Sequence, residues 1–392
     1  MSASKPVPSH RRDFVEHLER RLKEKSPLIQ VILGPRQVGK TTGVMALRQA
    51  LSGSAHYASA DDVLAPGAEW IQEEWQKGIG AGSKTAVIIL DEVQKILLWS
   101  DRIKALWDRS IRENKRVKLV LLGSSSLSLT QGLGDSLAGR FEVIPARHWG
   151  FHESESALGM DLDEYLVLGG YPRAAEFRKD PMRWRSYFQN SILEAVIAKD
   201  ILRYAKVAKP ALFRQTFELL TAYPAQEVSL NKLLGQLQES GNVDVVKYYL
   251  SLFESAFLFS ALQKYSGSHM RRKASSPKIL PLCPALCGYR HAGTALSKEP
   301  ELRGRLFEAA VGAELHGAVD DLYYWREGDD EVDYVVELEG KLFAIEVKSG
   351  RRKRGRGLLA FEKKYPQSKI CFLSESDYRV FSRDPRGWLK RC

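Results

Sequence analysis

Nine residues near the amino end, Gly34-Pro35-Arg36-Gln37-Val38-Gly39-Lys40-Thr41-Thr42, carry the densest chemistry in the chain. They satisfy G-x-x-x-x-G-K-[ST] at every fixed position, the pattern of a loop whose backbone N–H groups surround a chain of phosphates. Gly34 and Gly39 permit the tight wrap, with Pro35, Gln37 and Val38 between them, and Lys40 reaches the outer phosphates. Thr41 offers a hydroxyl to Mg²⁺, and Thr42 opens the helix whose amino end faces the anion. The expected ligand is ATP with Mg²⁺.

Two carboxylates, Asp91 and Glu92, close the apolar run Ala86-Val87-Ile88-Ile89-Leu90. Opposite a phosphate loop, Asp91 is the expected Mg²⁺ partner of Thr41, and Glu92 the expected base that orients the attacking water. The alternative is a pair of acids at a helix amino end, complementing its dipole. A third apolar run, Lys118–Gly123, ends in Ser124-Ser125-Ser126, where Ser124 or Ser125 can sense the γ-phosphate or merely cap the next helix. The glycine-rich stretch 131–140 then delivers Arg140, either an arginine finger for a neighbouring subunit or an arginine paired with a surface carboxylate.

A second constellation lies near the carboxyl end. Val332–Leu338 and Lys341–Lys348 are β-rich runs joined by Glu339-Gly340, a two-residue hairpin signal. A turn that short sets Asp333 opposite Glu346, and Lys348 shares a face with Glu346 because side chains alternate. Like charges so opposed need a cation or the lysine to compensate. Arg305–Leu315 reads as a helix able to aim Glu308 at the hairpin. Glu…Asp…Glu-x-Lys resembles the PD-(D/E)xK nuclease-like fold. That resemblance implies Asp333 and Glu346 as metal ligands, Lys348 as the group assisting the nucleophilic water, and Glu308 as completing the site. Val332 stands where that pattern expects proline. The alternative is an inactive fold with a solvated ion-pair cluster. The run Arg351-Arg352-Lys353-Arg354-Gly355-Arg356 beside it suits a nucleic-acid backbone or simply solvent.

The elements that must hold these residues follow from periodicity. Leu28–Leu33, Ala55–Ala60, Ala86–Leu90, Lys118–Gly123 and Phe141–Pro145 read as strands alternating with helices, hence a doubly wound α/β sheet. Residues 162–206 read as helical, broken at Gly169-Gly170 and Pro181. Helices over Val228–Gly235 and Val243–Phe253, then a strand over Ala256–Leu262, read as a winged-helix-like module. Its second helix offers little but Lys247 to a groove, so Lys264, Arg271, Arg272 and Lys273 are the better phosphate contacts. The expected divisions are a P-loop core over 1–150, a helical lid over 151–215, the winged-helix-like module over 216–270 and an α/β nuclease-like domain over 271–392.

The order Gly-Pro-Arg-Gln-Val-Gly-Lys-Thr-Thr, Ile-Leu-Asp-Glu-Val-Gln, Gly-Ser-Ser-Ser and Leu-Ala-Gly-Arg-Phe-Glu-Val-Ile resembles prokaryotic AAA-type ATPases that carry a C-terminal DUF4143 domain. Tyr165-Leu166 and Gly169-Gly170-Tyr171-Pro172-Arg173 match a further stretch of that family. The resemblance spans essentially the whole chain and implies ATP hydrolysis by an AAA-type core. Ala146–Phe151 departs from the family's more apolar stretch.

The totals fit this reading. The chain has 392 residues, enough for about two or three domains, and a net charge of +11 that makes a DNA or RNA partner an expectation. Cys283, Cys287, Cys371 and Cys392 are too few and scattered for a disulfide framework. The expected setting is cytoplasmic, with no membrane partner and scope for a homo-oligomer. Two functions stand: an ATP-driven nucleic-acid enzyme with a nuclease-like domain, or a regulatory ATPase switch whose nuclease-like domain is silent. A metabolic kinase fits poorly, since no small-substrate pocket is evident beyond the phosphate loop.

Overall fold

The computed structural model describes residues 11–25, 28–51, 55–63, 67, 69–80, 85–123, 126–237, 242–266, 275–348 and 355–392. Ser124, Ser125, Arg271, Arg272, Lys273 and the basic run at 351–354 lie outside the described residues. The chain forms two compact units, Met1–Arg147 with Glu194–Ala205, and His148–Leu193 with Lys206–Cys392.

In the first unit, α1 (Asp13–Lys23), β1 (Ile29–Leu33), α2 (Lys40–Ala50), β2 (Ala55–Ser59), α3 (Glu69–Gly80) and β3 (Ala86–Asp91) follow in order. They continue with α4 (Trp99–Arg112), β4 (Val117–Gly123), α5 (Ser126–Ser136) and β5 (Phe141–Pro145). The five strands are all parallel in the order β2-β3-β4-β1-β5. Every residue of β1 is buried, as continuous apolar runs require when helices cover both faces. Since β4 lies between β1 and β3, the loops after β1 and β3 open at one sheet edge.

One face of that sheet is closed by Phe14, Val15 and Leu18 of α1 together with Val44 and Leu47 of α2. Gly43 makes this possible: a Cβ there would come within 2.7 Å of the Phe14 ring and 2.8 Å of Val15. Residues 194–205 return to this unit, with Val196–Ile201 wound as a π-helix. The expected division at 150/151 did not anticipate that return.

The second unit begins with α6 (Phe151–Leu158), α7 (Leu162–Leu168), α8 (Pro181–Tyr187) and α9 (Pro210–Leu220). Then come β6 (Gln226–Glu227), α10 (Leu230–Gln236), α11 (Val243–Ser255), β7 (Phe259–Lys264), β8 (Lys278–Pro281) and the short α12 (Ala285–Gly288). The carboxyl end supplies α13 (Pro300–Ala318), β9 (Leu322–Glu327), β10 (Asp330–Leu338), β11 (Lys341–Lys348), α14 (Arg356–Lys364), β12 (Lys369–Ser374), α15 (Glu375–Arg383) and α16 (Pro385–Arg391). One seven-stranded sheet runs β12-β11-β10-β9-β7-β8-β6.

That sheet revises the expected partition. The 270/271 division falls between β7 and β8, which pair antiparallel, and β7 pairs parallel with β9. The strand expected from Ala256 starts at Phe259, after Phe257 has taken φ 59°. The helical region and the carboxyl end therefore share a sheet. Tyr249 of α11 is buried against Phe213, whereas Tyr248 is exposed. The hairpin turn at Glu339-Gly340 has φ 53° and 74°, the left-handed pair that favours a two-residue connection. Its register, Leu338 with Lys341 and Tyr334 with Ile345, is the one the sequence spacing predicts.

Candidate functional site

The loop after β1 binds its own parts before it binds anything else. Gln37 and Gly39 adopt φ 60° and 88°, and Gly39 leads directly into α2. Gly34 packs so closely on the strand end of β5 that a Cβ would lie 1.9 Å from the Ala146 carbonyl oxygen. Lys40, only 8% exposed, donates to the carbonyls of Gly34 at 3.0 Å and Pro35 at 2.7 Å. Burial pulls its pKa down to about 8, against the opposing pull of Glu92 and Asp91. Such an ammonium, satisfied by carbonyls of its own loop, is ready to exchange them for an anion.

Asp91, at the end of β3, sits where the sequence placed it. Thr41 donates its hydroxyl to Asp91 Oδ2 at 2.8 Å, and Tyr57 from β2 donates to the same oxygen at 3.1 Å. A hydroxyl and a carboxylate oxygen converging beside a phosphate loop fit a hard cation such as Mg²⁺. Glu92 follows with φ 53°, and its carboxylate accepts from the Gln94 amide at 2.7 Å.

Three contributors were not legible in the motif. Arg12, ahead of α1, donates to the Val38 carbonyl at 2.9 Å and the Arg147 carbonyl at 3.0 Å, fastening the loop from behind. Arg36 within the loop forms two 2.6 Å hydrogen bonds to Asp200, a carboxylate 4% exposed on the returning π-helical segment. Tyr57 is the third.

Arg140 does not join its own loop. It precedes β5, whose Phe141 pairs with Ile29 at the start of β1, so it lies at the opposite sheet edge. There its guanidinium donates to Asp108 at 2.8 and 3.0 Å.

The carboxyl-terminal constellation assembles, but around an unexpected residue. Lys278, on β8, has no exposed side-chain surface and reaches Glu308 Oε1 at 2.5 Å, Glu331 Oε1 at 3.4 Å and the Asp333 carbonyl at 3.2 Å. Its ammonium also lies 5.0 Å from the centre of the Tyr334 ring. Asp333 turns its carboxylate to accept the Val347 N–H at 2.7 Å, and Glu346 pairs with Lys348. Burial opposes the charge on Lys278, but Glu308, Asp333 and Glu331 outweigh it, and its pKa rises. Burial pushes Glu308 up to about 7, with Asp333 and Glu331 adding repulsion that Lys278 only partly relieves. Burial likewise raises Asp333 and Glu346, as does the Coulombic crowding of neighbouring acids. The expected metal ligands Asp333 and Glu346, with Glu308, are thus already partnered within the chain. Among the described residues no group of three or more His, Cys, Asp or Glu side chains is arranged to hold a metal ion.

The fold and the loop together define an AAA-type P-loop domain. Residues 26–155 match the AAA domain family, residues 303–385 match the domain of unknown function DUF4143, and residues 159–291 match a further domain of unknown function, DUF8612. Among solved structures, the Thermotoga maritima RuvB Holliday junction branch migration motor is similar at 15% identity and TM-score 0.35, over 64% of this chain and 88% of that one. AMPPCP-bound DnaA from Aquifex aeolicus is similar at 17% identity and TM-score 0.32, over 61% and 86%. The Aeropyrum pernix ORC1 protein in complex with DNA follows at 14% and 0.31, over 76% and 95%. Likeness at this level carries no functional argument. No curated protein matches. No helix among the described residues is long and apolar enough to cross a membrane.

Proposed function

We propose that this protein binds and hydrolyses ATP and uses the nucleotide cycle to control a grip on nucleic acid. The observation that carries the reading is the 2.8 Å contact between Thr41 and Asp91 beside the buried Lys40. In the working complex the Lys40 ammonium leaves the Gly34 and Pro35 carbonyls for the outer phosphates. Backbone N–H groups of Gln37, Val38, Gly39, Thr41 and Thr42 close around the phosphate chain. Thr41 and Asp91 would hold Mg²⁺, which supplies neutralising charge to the β- and γ-phosphates. Glu92 releases the Gln94 amide and orients the attacking water, and Ser124 senses the γ-phosphate. Arg140 acts on the site of a neighbouring copy in a homo-oligomer.

The nucleic-acid part rests on the net charge of +11 and on the second unit. There α9, β6, α10, α11 and the antiparallel pair β7 and β8 follow one another, with β8 between β7 and β6, an order that supports the winged-helix-like reading. Lys264, Arg271, Arg272 and Lys273 belong to or follow β7 and would meet phosphates. The run α13-β9-β10-β11-α14-β12 similarly supports the nuclease-like reading of the carboxyl end. The second reading, a regulatory switch with a silent nuclease-like domain, is favoured by the Lys278 contacts.

Isothermal titration with ATP·Mg²⁺, and ATPase assays with single-stranded DNA, duplex DNA and RNA, test the proposal. Lys40→Ala should abolish measurable binding. Glu92→Gln should keep binding while slowing hydrolysis by about 10²–10⁴-fold. Unchanged affinity in Lys40→Ala would remove the phosphate-loop assignment, and indifference to every nucleic acid would remove the grip.

A further inference from the structure

Carboxylates of α13 and β10 meet a cation that the chain itself provides. An ammonium has three N–H donors. Lys278 has three oxygens to receive them: Glu308 Oε1, Glu331 Oε1 and the Asp333 carbonyl. Its remaining side is covered by the Tyr334 ring, a favourable face for a positive charge. The other acids are engaged as well, Glu346 by Lys348 and the Asp333 carboxylate by the Val347 N–H. Arg326 approaches Glu331 from the solvent side at 3.8 Å.

A divalent ion at this place would need carboxylate oxygens at about 2.0–2.1 Å for Mg²⁺. It would also have to share Glu308 with an ammonium that already touches that carboxylate and accepts no further cation beside it without repulsion. Two cations there repel each other beside a lysine whose side chain has no exposed surface. Lys278 has no exposed side-chain surface, and its strand is held on both sides, by β7 and β6.

We propose that Lys278 is the resident cation of this cluster, standing where a nuclease-like site would hold its metal, so that the carboxyl-terminal domain binds no divalent ion through Asp333. The lysine instead joins the β7–β8 hairpin to α13 and β10, and the domain serves as a rigid charge-neutralised support without hydrolytic chemistry. This inference does not depend on the phosphate loop. Nucleotide binding can fail or succeed without affecting it.

The test is Mn²⁺ binding to the nucleotide-free full-length protein, followed by the electron paramagnetic resonance of free Mn²⁺. Wild type and Asp333→Asn should bind the same number of ions. Lys278→Met, which keeps the length and removes the charge, should gain one Mn²⁺ per chain, and Lys278→Met/Asp333→Asn should lose it again. A wild type that loses one ion on Asp333→Asn would overturn the proposal. So would a folded Lys278→Met, checked by circular dichroism, that gains none. Should Lys278→Met fail to fold, Lys278→Gln carries the same expectation, and the wild-type comparison with Asp333→Asn decides independently.

Discussion

Lys40 links the acid–base state of one side chain to the affinity for a triphosphate. Its ammonium has given up water for two loop carbonyls, and burial holds its pKa at about 8. A bound triphosphate adds several negative charges beside it and must raise that value. Between the free and bound pKa values, then, binding takes up a proton. Affinity should be level below pH 8 and fall above it, approaching about tenfold per pH unit. Titration calorimetry from pH 7 to 9.5, in buffers of different ionisation enthalpy, reads both the affinity and the proton. A flat affinity with no proton uptake would show that Lys40 does not face the phosphates. Stability has the opposite dependence. The unfolded lysine titrates at 10.5, so it holds more protons between pH 8 and 10.5, and the folded state gains as pH rises there.

At the scale of elements, the returning segment Val196–Ile201 carries the next argument. Asp200 spends both carboxylate oxygens on Arg36, inside the phosphate loop, and is itself buried. Asp200→Asn would leave a half-buried guanidinium with one weak acceptor, a loss of about 2–3 kcal/mol by the usual worth of charged hydrogen bonds. Urea unfolding followed by Trp fluorescence should show that loss in the midpoint at an unchanged slope, while ATP affinity holds or improves because Arg36 is released toward the anion. Equal midpoints would mean the pair is idle. This contact also marks the limit of what sequence made legible. Strands β1, β3 and β4 announce themselves because burial on both faces demands nearly unbroken apolar runs, and the Glu339-Gly340 turn because few residue pairs accept two left-handed dihedrals. Asp200, Arg12 and Lys278 carry no such local signature, since their partners lie 164, 26 and 30 residues away. The one available hint was the lysine itself, alone at the head of Lys278-Ile-Leu-Pro, a short run otherwise fit only for burial.

The whole molecule is where Arg140 must be judged. Arg140 lies just before β5, about 20 Å along the sheet from the phosphate loop at 3.3 Å per residue. No rotamer brings it to its own triphosphate, so any catalytic service is rendered to another copy through a head-to-tail interface. Its tie to Asp108 is partly exposed and screened by solvent, the kind of pair a phosphate can displace. Arg140→Ala chains retain Glu92 but lack the donor, and Glu92→Gln chains retain the donor but lack the base. Each alone should be inactive. Mixed in equal amounts and allowed to exchange, about a quarter of interfaces combine an intact Glu92 with an intact Arg140, as heterologous contacts assort at random. ATPase in the mixture should therefore rise toward about a quarter of the wild-type rate, with sedimentation confirming co-assembly. Co-assembly without any recovery would leave Arg140 as a partner of Asp108 and nothing more.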